Sequence, residues 1–166
     1  MVIKKVINIL ILVSLIIITG FVLYREIPSN SKTLQEGDTS MKLKMSFNNN
    51  EVIINMYDNS ASEELIALLP AEFQFRDFAG EEKIANFPKP LSFDNAPRGM
   101  VATAGKMFIY APWGNMGIFY KDHGHIMDKS LIPLGEVESG LEYLKLQKTD
   151  FKAKLEVIKN PSLPKN

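Results

Sequence analysis

The stretch MKLKMSFNNNEVIINM, residues 41–56, contains two runs in which every second side chain is apolar. In an extended chain this alternation places the apolar side chains on one face and the polar ones on the other. Three asparagines at 48–50 separate the runs, and asparagine is a favoured turn residue because it tolerates positive φ. The stretch therefore predicts a β-hairpin with one buried face.

Further along the chain, short strand-like segments alternate with turn signals. Ser60 and Glu63 match a capping box, and the apolar residues after them predict a short helix that ends before Pro70. A second short helix is expected at 140–146, and 79–106 is expected to be mostly loop with short strand pieces. The remaining predicted strands are 73–77, 107–111, 116–121, 131–137 and 151–157. This pattern predicts a mainly β domain over 41–160, a closed or nearly closed barrel with two short helices, because closure leaves no exposed sheet edge.

The chain before the barrel differs in composition. Residues 6–24, VINILILVSLIIITGFVLY, follow two lysines and are almost entirely apolar. About 20 such residues cross a bilayer as a helix, so 1–27 is predicted to be a membrane anchor or a signal segment. The length of the run, and the lack of an Ala-x-Ala-like site after it, favour a retained anchor over a cleaved signal peptide.

The lysines before the apolar run predict the topology. Positive residues stay preferentially on the cytoplasmic side. The expected location is therefore the cell membrane, with a single pass and the barrel on the extracytoplasmic side; the alternative is secretion after signal cleavage. Residues 28–40, PSNSKTLQEGDTS, are polar and predict a linker, and 161–166 predict a frayed tail.

Composition excludes several classes of function. The 166 residues include 19 lysines and arginines and 19 aspartates and glutamates, so no basic excess suggests a nucleic-acid partner. The chain has no cysteine, which excludes disulfides, thiolate metal sites and thiol nucleophiles. We expect no nucleic-acid partner and no cofactor.

Four segments carry a resemblance to a known family. The segment 131–141, LIPLGEVESGL, is similar to the cyclophilin signature in which a strand ending Phe-Gly-x-Val precedes a glycine and a helix. The segments FAGEEKI (78–84), YAPWGN (110–115), IFYKD (118–122) and 131–141 together closely resemble a bacterial cyclophilin-like family. The resemblance covers about 41–158 and implies a cyclophilin-like barrel, distantly related to the peptidyl-prolyl isomerases.

The resemblance also implies site residues. Phe75-Arg76 falls roughly where cyclophilins carry Phe-His-Arg, so Arg76 is the candidate catalytic residue, as a fixed cation donating to a prolyl nitrogen or a carbonyl. The alternative for Arg76 is a surface ion pair with Asp77 or Glu72. The predicted binding residues, taken from the implied groove and from the turn before it, are Phe75, Trp113, Met116, Ile118, Phe119, Ile126 and Leu131.

Several of these positions depart from the cyclophilin pattern. Met116 replaces the glutamine, Ile118 a phenylalanine, Ile126 the pocket tryptophan and Leu131 the histidine. The groove keeps its apolar character and loses most hydrogen-bonding groups. We therefore expect a membrane-tethered domain that binds a peptide or small ligand in an apolar groove without efficient catalysis. The alternative is a weak peptidyl-prolyl cis-trans isomerase that acts on exported proteins.

Three local features are open to more than one interpretation. Trp113, between Pro112 and Gly114, either stacks on a ligand or folds back to cap the barrel end. The sequence DHGH at 122–125 has metal-like spacing, but the chain has only two histidines and lacks further ligands, so no metal site is expected. The pair Glu81-Glu82 is interpreted as a solvated charge cluster.

Overall fold

The computed structural model describes residues 41–158. The predicted anchor or signal segment at 1–27, the linker at 28–40 and the tail at 161–166 lie outside the described residues. Within 41–158, no helix has the length and apolar character that a bilayer crossing demands.

Eight antiparallel strands close into a barrel, as predicted. They are β1 Lys42–Phe47, β2 Asn50–Met56, β3 Ala71–Phe78, β4 Glu82–Asn86, β6 Lys106–Tyr110, β7 Asn115–Phe119, β9 Leu131–Ser139 and β10 Phe151–Ile158. Their order around the barrel is β1-β10-β3-β4-β7-β6-β9-β2, and the pairing of β2 with β1 closes the ring. A separate two-stranded sheet joins β5 Met100–Val101 to β8 Met127–Asp128. The described helices are α1 Ser60–Ile66 and α2 Leu141–Leu146.

The barrel interior is filled by the inward-facing side chains, which are every second residue of each strand. On β1, Leu43, Met45 and Phe47 are buried, whereas Lys42 and Lys44 remain partly exposed. Burial of one such apolar side chain contributes about 1.5–3 kcal/mol to stability. The interior is therefore a packed core and leaves ligand sites to the outer surface.

The predicted asparagine turn of the hairpin is confirmed, whereas the predicted N-terminus of the first helix needs correction. Asn48 and Asn49 have φ of 47° and 61°, as the turn prediction requires. The N-cap of α1 is Asn59 rather than Ser60, so the predicted capping box is wrong. The Asn59 Oδ1 accepts from the Ser62 backbone N–H at 3.1 Å, and its Nδ2 donates to the carbonyl oxygen of Pro133 at 3.0 Å. This second contact fastens α1 to β9.

Lys83 is a fully buried charged side chain in this part of the chain. Its Nζ contacts the Asp77 carboxylate and donates to the carbonyl oxygen of Gln147 at 2.5 Å. The Tyr120 hydroxyl donates to the same Asp77 oxygen at 2.7 Å. Burial raises the pKa of Asp77, but hydrogen bonds from Lys83 and Tyr120 outweigh it and hold that pKa below its usual value. Paired in this way, the charges meet the condition under which a buried ion pair is tolerated.

A second apolar layer covers the outside of one barrel wall. Met100 and Ala102, in and just after β5, pack with outward-facing side chains of the barrel strands, namely Phe108, Phe119 and Leu131. The wall formed by β4, β7, β6 and β9 thus has apolar side chains on both faces. The expectation of mostly loop with short strands over 79–106 is confirmed by β4 and β5.

Candidate functional site

A cavity of about 540 Å³ lies against the outer face of the barrel wall. It is bounded by outward-facing residues of β4, β6 and β7, the end of β3, and the segment 123–128. We call it the outer cavity. Its volume falls within the range of small-molecule sites, about 300–1,000 Å³.

The floor of the outer cavity is apolar. Phe108 and Phe119 stack there with ring centroids 4.4 Å apart and planes 20° apart, and Ile84 and Leu131 extend the floor. Gly117 makes the stacking possible. A Cβ on Gly117 would lie 2.3 Å from the Phe108 Cζ, so the Phe108 ring occupies the space of the missing side chain.

Three aromatic rings form one wall, which we call the aromatic wall: Phe78, Tyr110 and Trp113. The Trp113 ring is perpendicular to both neighbours, at 83° to Phe78 and 86° to Tyr110, with centroids 5.7 and 5.1 Å away. The turn that holds Trp113 uses Gly114 at a φ of +62°. Trp113 is 60% exposed, so it borders the outer cavity instead of capping the barrel end, and the capping alternative is wrong.

Acidic and imidazole groups also line the outer cavity, and Glu82 is the cross-strand partner of Phe78. Burial raises the pKa of Glu82 to about 7; His123 opposes this shift and Glu81 adds to it. A hydrogen bond to the Glu81 carboxylate raises the pKa of His123. The interpretation of Glu81-Glu82 as a solvated cluster is therefore wrong for Glu82, which lines the cavity half-buried.

Asn115 supplies a polar group to the cavity lining. Its side chain is 3% exposed, and its Oδ1 is buried without a hydrogen-bond partner among residues 41–158. A buried acceptor without a partner costs about 1–3 kcal/mol.

Four of the predicted binding residues line the outer cavity: Trp113, Phe119, Ile126 and Leu131. Phe119 and Leu131 are buried in the floor, whereas Ile126 is 86% exposed. The structure brings these four together although they come from a turn, two strands and a loop.

The other three predicted binding residues face the barrel interior. Phe75, Met116 and Ile118 are fully buried in the core and do not line the outer cavity. The reason is that successive side chains of a strand point to opposite faces. On β7, Asn115, Gly117 and Phe119 point outward, so Met116 and Ile118 point into the barrel. The geometry corrects these three assignments, because a ligand in the outer cavity does not reach them.

Arg76 lies outside the outer cavity. It is exposed on β3, opposite Ile84 in the strand pairing, in a depression of about 200 Å³ that also contains Asn86 and Asp150. Ile84 borders both this depression and the outer cavity. Within residues 41–158, Arg76 forms no ion pair, and Asp77 pairs with Lys83 instead.

Among the site residues that sequence reasoning missed are Phe78, Glu82, Phe108, Tyr110 and Asn115. Four of them lie in the segments FAGEEKI (78–84) and YAPWGN (110–115), which carry the resemblance to the family. The resemblance gave no role to these four positions. Phe108 could have been found from its strand period relative to Tyr110. No group of three or more histidine, aspartate or glutamate side chains in 41–158 is arranged to hold a metal ion.

The model of a cyclophilin-like family matches residues 45–156. The chain is similar to the solution structure of a hypothetical protein from Archaeoglobus fulgidus, with 17% sequence identity and a TM-score of 0.52, over 74% of this chain and 98% of that one. That likeness concerns the fold alone. Among curated proteins, none matches this chain significantly. Because the family model spans most of the barrel, the chain belongs to the cyclophilin-like family.

Proposed function

We propose that this protein is a membrane-tethered cyclophilin-like domain that binds a peptide or small ligand in the outer cavity without efficient catalysis. One observation carries the proposal: an apolar cavity of about 540 Å³ is lined by aromatic residues and by Asn115, whose buried Oδ1 has no partner among the described residues. Apolar surface combined with a few directed polar groups is typical of ligand sites.

The exposed Trp113 supports the binding role. An indole gains free energy by burial, about 1.5–3 kcal/mol or more, and Trp113 leaves much of that gain unused. A ligand that covers the aromatic wall would bury Trp113, Tyr110 and Phe78 together. Exposed aromatic residues beside a cavity are typical of binding surfaces.

The absence of efficient catalysis is supported by the position of Arg76. No arginine or lysine lines the outer cavity among the described residues. A donor at the prolyl nitrogen would have to reach the cavity across Ile84 from β3. The weak isomerase remains the alternative, and the proximity of Arg76 to the cavity, through Ile84, is what favours it.

The membrane tether is supported by the apolar run at 6–24 and the lysines before it. We propose that the barrel lies on the extracytoplasmic side of the cell membrane, with secretion after signal cleavage as the alternative. Cell fractionation of the full chain and of a chain lacking 1–27 tests the tether. Membrane recovery of the full chain alone supports it, and equal recovery of both in the soluble fraction contradicts it.

One experiment separates binding from isomerisation. The full chain is titrated with proline-containing tetrapeptides while Trp113, its single tryptophan, reports binding by fluorescence. The same peptides are followed for cis-trans exchange by NMR. We expect a fluorescence change with exchange at the uncatalysed rate.

Arg76→Ala and Arg98→Ala form a matched pair for this experiment, because both arginines are exposed and Arg76, unlike Arg98, lies in the depression that shares Ile84 with the cavity. Accelerated exchange that is lost in Arg76→Ala and kept in Arg98→Ala would replace the binding role by the isomerase. If neither these peptides nor small aromatic amines, alcohols and acids change the fluorescence, the binding proposal fails.

A further inference from the structure

The charged groups around the outer cavity are unequal in sign. Glu82 and Asp128 line it, and no lysine or arginine does so among the described residues. Of the two lining imidazoles, His123 contacts the Glu81 carboxylate, which balances its positive charge. The cavity is therefore better suited to a cation than to an anion.

The aromatic wall has the same preference. The face of an aromatic ring is the negative end of its quadrupole, and a cation within about 6 Å of the ring centre is attracted to it. Trp113 stands perpendicular to both Phe78 and Tyr110. The outer cavity is therefore bordered by ring faces and ring edges that point in different directions. Of the three ring types, that of tryptophan binds cations most strongly.

Asn115 adds a polar residue to the lining, and its buried Oδ1 has no partner among the described residues. A protonated amine has N–H donors and a positive charge. Its ammonium would pair with the carboxylate of Glu82, which lies beside Phe78 of the aromatic wall in the strand pairing, while its apolar body would cover the floor.

We propose that the ligand of the outer cavity is a protonated amine on an apolar body, held by the Glu82 carboxylate and the aromatic wall. This inference rests on the proposed binding function and names the class of ligand. The amine belongs either to a free arylalkylamine or to a lysine side chain in a peptide. Both sources present the same ammonium group.

The titration of Glu82 makes the affinity depend on pH. With its pKa at about 7, Glu82 must release a proton to pair with the cation, so the affinity rises with pH through neutrality. His123 faces Glu82 and loses its positive charge over a rising pH, which acts in the same direction. Glu81 pairs with His123, and the other groups that face the cavity are Tyr110, His125 and Asp128.

The test uses three compounds with one carbon skeleton: 4-phenylbutylamine, 4-phenylbutanol and 4-phenylbutyrate. Each is titrated into the full chain at about pH 8, with Trp113 fluorescence as readout. We expect the amine to bind about tenfold more tightly than the alcohol, which corresponds to one charge-assisted contact, and the carboxylate to bind most weakly. An acetylated Leu-Lys-Phe amide, compared with its norleucine analogue, tests the peptide source.

Glu82→Gln supplies the decisive variant, because it keeps the shape of the side chain and removes its charge. It should lower the amine affinity about tenfold, remove most of its pH dependence, and leave the alcohol affinity unchanged. Glu72→Gln is the matched control, since Glu72 is exposed on β3 and does not line the cavity. It should change none of these affinities.

The outcomes separate the two proposals. Equal affinity for amine and alcohol, or tightest binding of the carboxylate, overturns the amine inference and leaves the binding function standing. An amine affinity that Glu82→Gln does not alter also overturns it. If none of the three compounds and neither peptide changes the fluorescence, the binding function itself fails.

Discussion

Gly117→Ala tests whether the floor of the outer cavity depends on a missing side chain. The new Cβ would lie 2.3, 2.8 and 2.9 Å from three atoms of the Phe108 ring. Phe108 is 2% exposed and stacked on Phe119, so the ring can yield only by leaving the stack and entering the cavity. Overpacking of this kind costs about 1–3 kcal/mol.

A smaller effect opposes this cost. Replacement of glycine by alanine restricts the unfolded chain and stabilises the fold by about 0.4–1 kcal/mol where the backbone allows it. Gly117 does not have a positive φ, so this gain applies. The net expectation is a loss of about 1–2 kcal/mol in the free energy of unfolding. The displaced ring should also weaken binding of 4-phenylbutylamine.

The assay is urea unfolding of the full chain, followed by far-UV circular dichroism. Phe108→Leu alone should destabilise the barrel because it removes ring contacts. The double variant should be more stable than the sum of the single changes by about 1 kcal/mol, since the shorter side chain makes room for the methyl group. Gly124→Ala is the matched control, because a Cβ there meets no atom within 4 Å.

Two results would refute this reasoning. A Gly117→Ala variant within about 0.5 kcal/mol of the wild type would show that the Phe108 ring moves without cost. Strict additivity in the double variant would show that the two positions do not compete for space.

Three further predictions concern the barrel and its charges. Gly140→Ala should cost about 3 kcal/mol or more, because the residue has a φ of +85° and a Cβ would lie 2.3 Å from the Glu51 carbonyl oxygen; a neutral result in urea unfolding would contradict this. Lys83→Met should lower the free energy of unfolding by about 2–4 kcal/mol, because Asp77 loses its cation, and unchanged stability at neutral pH would count against the pairing. The pKa of Glu82 is about 7 in the folded chain, compared with an ordinary value of 4.5. Between pH 4.5 and pH 7, the folded state therefore holds a proton on Glu82 that the unfolded state has lost. Unfolding free energy should therefore fall as pH rises through that window, by about 1–2 kcal/mol after discounting for partial exposure. In Glu82→Gln, the unfolding free energy measured in urea should no longer fall in this way across the same pH window. If it still falls, another group is responsible for the pH dependence.

The barrel was predictable because it follows from local alternation. The runs in β1 and β2 fixed which side chains face inward, and the asparagine turn fixed the hairpin register. The same rule shows why part of the site prediction failed. Ile118 and Phe119 are consecutive in one strand, so they cannot line one cavity from the same face. The binding-site prediction included both, and the strand period separates them.

Other parts of the site were not accessible from local patterns. The raised pKa of Glu82 arises from burial in the finished cavity, to which segments near His123 and Trp113 contribute from distant parts of the chain. The unpartnered state of Asn115 likewise depends on what does not reach it in three dimensions. Sequence patterns specify which face a side chain occupies, but burial and hydrogen bonding depend on contacts between remote segments.

In the strands that border the outer cavity, alternate residues serve two separate functions. On β7, Met116 and Ile118 fill the interior, whereas Asn115, Gly117 and Phe119 shape the outer cavity. The ligand preference of the protein can therefore diverge through every second position while the positions between them preserve folding. A saturation scan of β7 should yield two interleaved sets of variants, one defective in expression and one altered in ligand choice.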